Sequence, residues 1–224
     1  MKRKLKIEIG LAVLSLLIAL FGSFLAPYDP LKVNYDFSLQ PPSFLHIFGT
    51  DKLGRDVFSR ILCGAKTSFG LTFLMLFLIV FIGMIVGLIA GLSNDKVESF
   101  FNNIINGLLA FPDTIFEIAV VGIVGAGLFN TVFALALIWW TKYARLTLAL
   151  VKQEKKKNYL VISKMSGVPP LQRVIRYLLP NILSQILVTA FLDIGNMMIS
   201  LAGLSFLGPV SYTHLRAHET RSNL

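Results

Sequence analysis

Two carboxylates, Glu117 and Asp193, lie inside long apolar stretches of this chain and carry most of its chemical potential. A charged side chain in hydrocarbon costs about 2.5–3.5 kcal/mol on insertion scales, so such a residue marks an ion or substrate path, a proton relay, or a satisfied interhelical hydrogen bond. Asn196, Met197 and Met198 follow Asp193, adding an amide and two soft thioethers to the same stretch. Glu117 stands five residues beyond Pro112 and reads either as a pathway group or as a carboxylate near the outer membrane boundary. Asn102 and Asn106, four apart, have the spacing of interhelical hydrogen-bond glue. Catalytic patterns are missing: there is no GxxxxGK[ST], GxSxG or HExxH, and no Cys/His cluster. The single cysteine, Cys63, excludes an intramolecular disulfide. His214 and His218, with Glu219, have metal-pair spacing but sit in a polar tail without an apolar period. No catalytic residue, cofactor or preformed metal site is expected, and any energy for work must come from a partner or an ion gradient.

The elements that position these groups are read from hydropathy. Of 224 residues, 55% are hydrophobic and only 15% charged, which a soluble domain rarely matches. Several runs approach the length that spans a bilayer. The net charge of +9 does not imply nucleic acid, because the cations flank apolar runs as the positive-inside rule requires. Residues 1–26 form a basic leader and a first span, too long for a signal-peptide core and with Ala26-Pro27 a poor cleavage site. Residues 27–66 form an external loop with five cations and four carboxylates, in which Asp51, Arg55, Asp56 and Arg60 have the spacing of an ion-paired surface helix.

The core, residues 67–208, begins with a second span over 67–92, where Gly83, Gly87 and Gly91 make a small-residue strip. A third span, 97–125, is kinked at Phe111-Pro112. A fourth returns over 128–150, with Trp139, Trp140, Lys142, Tyr143 and Arg145 as an interfacial anchor, and a fifth covers 181–208. Residues 209–224 read as a disordered or foreign tail. The fold class is an all-α polytopic membrane bundle.

Between the last two spans, residues 151–180 carry seven cations against one carboxylate, which places this loop in the cytoplasm. Tyr159 to Met165 has room for two helical turns, Ser166-Gly167 ends them, and Val168-Pro169-Pro170 forces extended geometry before a second helix near Leu171. Gly167 is expected either to take φ > 0 or to admit a partner's backbone. A helix, a glycine elbow and a helix on a basic face suit docking to a soluble partner; an ordinary solvated loop is the alternative.

Two motifs carry a resemblance. The segment Gly49-Thr-Asp-x-x-Gly-Arg-Asp-x-x-Ser-Arg60, followed by Gly64 and Ser68, closely resembles the stretch before the core domain of dipeptide, oligopeptide and nickel permeases. The spacing of Tyr159, Gly167 and Pro180 resembles the EAA loop of ATP-binding-cassette importer permeases, with Val161, Ile162 and Ser163 where Glu-Ala-Ala is usual. The resemblance covers roughly residues 5–208 and is greatest to the second permease of nickel or metal-chelate systems, through Leu192-Asp-Ile-Gly-Asn-Met-Met198 and Ala202-Gly-Leu-Ser-Phe-Leu-Gly208.

That resemblance implies six spans, of which five are present here, and a non-catalytic subunit in a bacterial-type inner membrane. It implies a second homologous permease, two ATPase subunits and an extracytoplasmic binding protein as partners, beside the lipid membrane. The cargo would be nickel, a metal chelate or a small peptide. It assigns ATPase coupling to Tyr159, Ser163, Lys164, Ser166, Gly167 and Val168, and makes Asp193, Asn196, Met197, Met198 and Glu117 candidate pathway residues. The competing reading is an ion-coupled secondary carrier using Asp193 and Glu117, against which no inverted repeat is evident. A membrane scaffold has no specific feature in its favour.

Overall fold

The computed structural model describes Gly10, Leu14, Leu17, Ile18 and residues 20–125 and 127–219, excluding the side chains of Leu128 and residues 205–219. Residues 1–9, 11–13, 15, 16 and 19 of the basic leader and expected first span therefore lie outside the described residues, as do the side chains of His214 and His218. The chain divides into two compact units, up to Leu71 and from Thr72 onward.

In the first unit the polar segment folds as a hydrogen-bonded knot. Thr50 N donates to Gln40 O at 3.1 Å, and Asp51 N donates to Arg55 O at 3.0 Å. Gly54 takes φ 69°, and a Cβ there would sit 1.6 Å from Asn34 O, so only glycine fits. The expected ion-paired helix over Asp51–Arg60 is not what forms. Asp51 instead closes a turn, accepting from the amides of Leu53 (2.8 Å) and Arg55 (3.0 Å) and from the guanidinium groups of Arg55 and Arg60. Asp56 is the N-cap of the next helix, its Oδ2 accepting from Ser59 N and Ser59 Oγ, both at 2.7 Å. Its other oxygen meets His46 Nδ1 at 2.9 Å.

Burial works against ionisation of Asp51, but the hydrogen bonds and charge of Arg55 and the Leu53 amide outweigh it and hold the carboxyl at about 2, below the ordinary 3.8. A carboxyl depressed in the folded state stabilises above its unfolded pKa and loses that contribution as pH falls. Amide protection at Leu53 and Arg55 is therefore expected to hold from neutrality to about pH 4 and to fall between about 4 and 2. Hydrogen exchange checks this, and Asp51→Asn is expected to lower protection at neutral pH and remove its dependence on acid.

Helix α1, Val57–Leu92, starts at that cap, ten residues earlier than the expected span. At 1.5 Å per residue it is about 54 Å long, more than a hydrocarbon core of about 30 Å requires. Helix α2 (Asp95–Leu109) follows, capped by Asn94, whose Oδ1 accepts from Val97 N at 3.1 Å. Helix α3 (Asp113–Val124) comes after Pro112, and the two helices are bent by 84°. The expected single kinked span is thus two separate helices meeting at a sharp angle. Proline has no N–H to continue the ladder, while its carbonyl accepts from Ile115 N and Phe116 N and starts a new helix. Gly125, at φ 95°, turns the chain into helix α4 (Leu128–Lys155).

Helix α5 (Asn158–Met165) and the single turn α6 (Pro170–Arg173) make up the predicted helix–elbow–helix. A π-helical turn, Val174–Leu178, then leads without interruption into helix α7 (Leu179–Glu219). Pro180 does not separate two helices. Its ring would crowd the carbonyl four residues earlier, at Arg176, and that carbonyl lies in the widened turn. The helical backbone also continues through residues 209–219, where a tail without regular structure was expected. Residues 210–219 contain neither glycine nor proline, so no local breaker ends the helix.

Among the described residues three helices are long and apolar enough to cross a membrane, or four if α2 and α3 count as one broken span. In the second unit the glycine strip lets α1 approach α4 at backbone distance. A Cβ on Gly83 would meet Trp140 O at 2.6 Å, and one on Gly87 would meet Ala144 O at 2.6 Å and Thr147 Cβ at 2.5 Å. Met75, Ile79, Leu135, Ile138, Val151 and Ile186 are buried in the core.

Candidate functional site

Asp193 projects from α7 into the bundle and is 4% exposed. It accepts from Lys142 Nζ at 2.8 and 2.7 Å and from Tyr143 Oη at 2.9 Å, both on α4. Two neighbouring α4 side chains thus grip one carboxylate. The Lys142 ammonium also lies 5.9 Å from the centroid of the Trp139 ring. Trp139 Nε1 in turn donates to Glu117 Oε1 on α3 at 2.7 Å, and Glu117 is buried. One polar network therefore ties α3, α4 and α7 together through groups that hydrocarbon alone would not tolerate.

This corrects the interfacial-anchor reading of α4. Trp139, Lys142 and Tyr143 turn inward to the two carboxylates, while Arg145 donates to Asn106 and Trp140 Nε1 donates to Leu137 O at 3.0 Å. Lys142 and Tyr143 were missed as partners of Asp193, although their helical positions three and four on from Trp139 were a usable signal. The five candidate pathway residues do not form one cluster. Asp193 and Met197, four apart, share the buried face; Asn196 is exposed, Met198 is half-buried, and Glu117 joins only through Trp139. Asn106 acts as interhelical glue, whereas Asn102 donates within its own helix to Glu98 at 3.4 Å. The described residues contain no group of three or more His, Cys, Asp or Glu able to hold a metal.

The second candidate region is the loop built on α5. Ser166 N donates to Ile162 O at 2.8 Å and Val168 N to Ser163 O at 3.1 Å, closing the helix end. Gly167 between them has φ 75°, and a Cβ there would meet nothing within 4 Å, so its left-handed backbone is the reason for glycine, not a close neighbour. Tyr159 anchors the other end: its hydroxyl donates to Glu154 and accepts from Asn181 Nδ2 at 3.0 Å. Burial and then the Glu154 carboxylate push the Tyr159 phenol up to about 12. Glu154 also takes Lys157 Nζ at 2.6 Å. Ser163 departs from the expected contact set. It is buried, and its hydroxyl donates to Leu160 O at 2.8 Å. The exposed face instead consists of Val161, Ile162, Met165 and Ser166, with Lys164 beside them.

A polytopic helical bundle with an intramembrane ionic network and a helix–elbow–helix in its most basic loop has the parts of a transport permease. Residues 83–222 match the family described as binding-protein-dependent transport system inner membrane component. The chain is 33% identical over 204 residues to the nickel transport system permease protein NikC of Escherichia coli, covering 90% of this chain and 74% of that one. It is 36% identical over 207 residues to the di/tripeptide transport system permease protein DppC of Pseudomonas aeruginosa, covering 89% and 68%. With the dipeptide transport system permease protein DppC of Haemophilus influenzae it shares 33% over 198 residues, covering 86% and 67%. The chain belongs to the inner-membrane-component family of binding-protein-dependent importers and is a multi-pass permease subunit of that class.

Proposed function

We propose that this chain forms half of the translocation pathway of an ATP-driven importer in a bacterial-type inner membrane, paired with a second homologous permease. Two ATPase subunits supply the energy, and an extracytoplasmic binding protein delivers nickel, a metal chelate or a small peptide, the first and last being cargoes named for its relatives. The observation that carries the coupling assignment is the α5 helix, closed at Gly167 and presenting exposed side chains within the loop of seven cations. In this reading Ile162, Met165 and Ser166 meet the ATPase, while Tyr159, Ser163 and Gly167 hold the helix in shape. Asp193, with Lys142 and Tyr143, fixes α7 against α4 beside the pathway, and Asn196 and Met198 are the side chains left to face the second permease or the cargo.

Cysteines placed at Met165 or Ser166 are expected to crosslink to the ATPase subunit, with a yield that changes on nucleotide binding; one at Ser163 is expected to react poorly. Gly167→Val forces a β-branched residue into a left-handed conformation costing roughly 1–2 kcal/mol. It is expected to lower uptake severalfold while the spans insert and the ATPase keeps its basal turnover. An active assembly in which no position from 159 to 168 crosslinks defeats the coupling assignment.

A further inference from the structure

A cavity of about 680 Å³ lies behind the α5–α6 elbow. Its walls include Leu160, Val161 and Val174, and its polar lining comes from Lys155, Lys164 and Arg173, with no carboxylate among the lining residues. Lys155 Nζ donates to Gly91 O at 3.0 Å, leaving two of its three donors free for a further acceptor. Arg173 Nε is shielded from solvent and has no hydrogen-bond partner among the described residues. Buried donors of this kind ordinarily find an acceptor. The cavity also has a defined depth. Leu92 ends α1, Lys155 ends α4, and Pro170 begins the third membrane-length helix, so three of its walls are ends of long apolar helices on the side of the basic loop.

We infer that this cavity is a binding site for the headgroup of an anionic phospholipid of the cytoplasmic leaflet. A phosphodiester offers acceptors to Arg173, Lys164 and Lys155, and basic pockets between spans on the cytoplasmic side suit such headgroups. The apolar walls suit the glycerol and upper acyl chain. An acidic ATPase segment would satisfy the cations but would leave those walls without an apolar partner. The inference rests on the cytoplasmic placement of the loop but not on ATPase docking.

The test is native mass spectrometry of the full importer assembly released from nanodiscs of phosphatidylcholine with or without phosphatidylglycerol. One phosphatidylglycerol retained per copy of this chain is expected, with no comparable retention of phosphatidylcholine. Each cation near an anionic surface contributes about fivefold, so Lys164→Gln with Arg173→Gln is expected to lower retention about 30-fold. If that pair fails to fold, Lys164→Gln alone, on an exposed side chain, is expected to give about fivefold. Lys156→Gln with Arg176→Gln, matched in charge but outside the cavity, is expected to lower retention of phosphatidylglycerol far less than the cavity pair does. Equal retention of the two lipids, or unchanged retention in the cavity variants, overturns the inference. Retention by the permease pair that vanishes when the ATPases bind also overturns it, because the cavity would then belong to the ATPase interface. Failed crosslinking with phosphatidylglycerol still retained would sink the coupling assignment and leave this site standing.

Discussion

Lys142→Met strips the buried Asp193 of its counter-charge, and the folded chain is expected to lose about 3 kcal/mol of stability. That value sits at the low end for a broken buried pair because the Lys142 side chain is 47% exposed while that of Asp193 is 6% exposed. Tyr143 remains as a donor but brings no charge, so an anion stays in a site of low dielectric. Thermal unfolding of the purified chain in detergent, read beside its level in the membrane, measures the loss. Adding Asp193→Leu to Lys142→Met is expected to recover most of it, since a well-packed apolar pair often replaces a buried ion pair without cost. Such recovery with uptake still lost would give the pair a role in transport; recovery of both would make it purely structural.

Gly87→Leu is the second large effect. The new Cβ would start 2.5 Å from Thr147 Cβ and 2.6 Å from Ala144 O, and backbone cannot move aside as a side-chain tip can. Overpacking of this kind costs about 1–3 kcal/mol, and contact with a helix backbone places Gly87 at the upper end or beyond. The expected result is a chain that inserts but fails to pair α1 with α4, seen as lost protease resistance of the membrane-inserted form. Gly195→Ala is the control, because a Cβ there meets nothing within 4 Å. Ala and Leu both favour a helix more than glycine does, so an equal loss at both positions would show that the close approach at Gly87 is not its cause.

The same contrast shows what the sequence could and could not disclose. Glycines at 83, 87 and 91 announce a close approach because their spacing is that of one helical face, and the packing partner alone was hidden. The elbow at Gly167 was legible because glycine and proline act on their own backbone. Asp193 was legible as costly, but its partners stand 50 and 51 residues away on α4, and no local pattern links them. Lys142 and Tyr143 looked like membrane-boundary residues because aromatic and basic side chains at a span end suit either role. Asp51 and Asp56 misled in the opposite direction: alternating charge suggested a helix, whereas one carboxylate closes a turn and the other caps α1. The break at Pro112 was visible, but proline fixes only where the ladder is interrupted, not the 84° angle between α2 and α3.

On the proposed function, this subunit passes cargo inward when its partners hydrolyse ATP. Proteoliposomes holding this chain, the second permease and both ATPases, supplied with loaded binding protein, test it most directly. Uptake of radiolabelled nickel or peptide is expected to require enclosed ATP, to stop with vanadate, and to persist when ion gradients are collapsed. Uptake that continues without ATP and disappears with the gradient would contradict it.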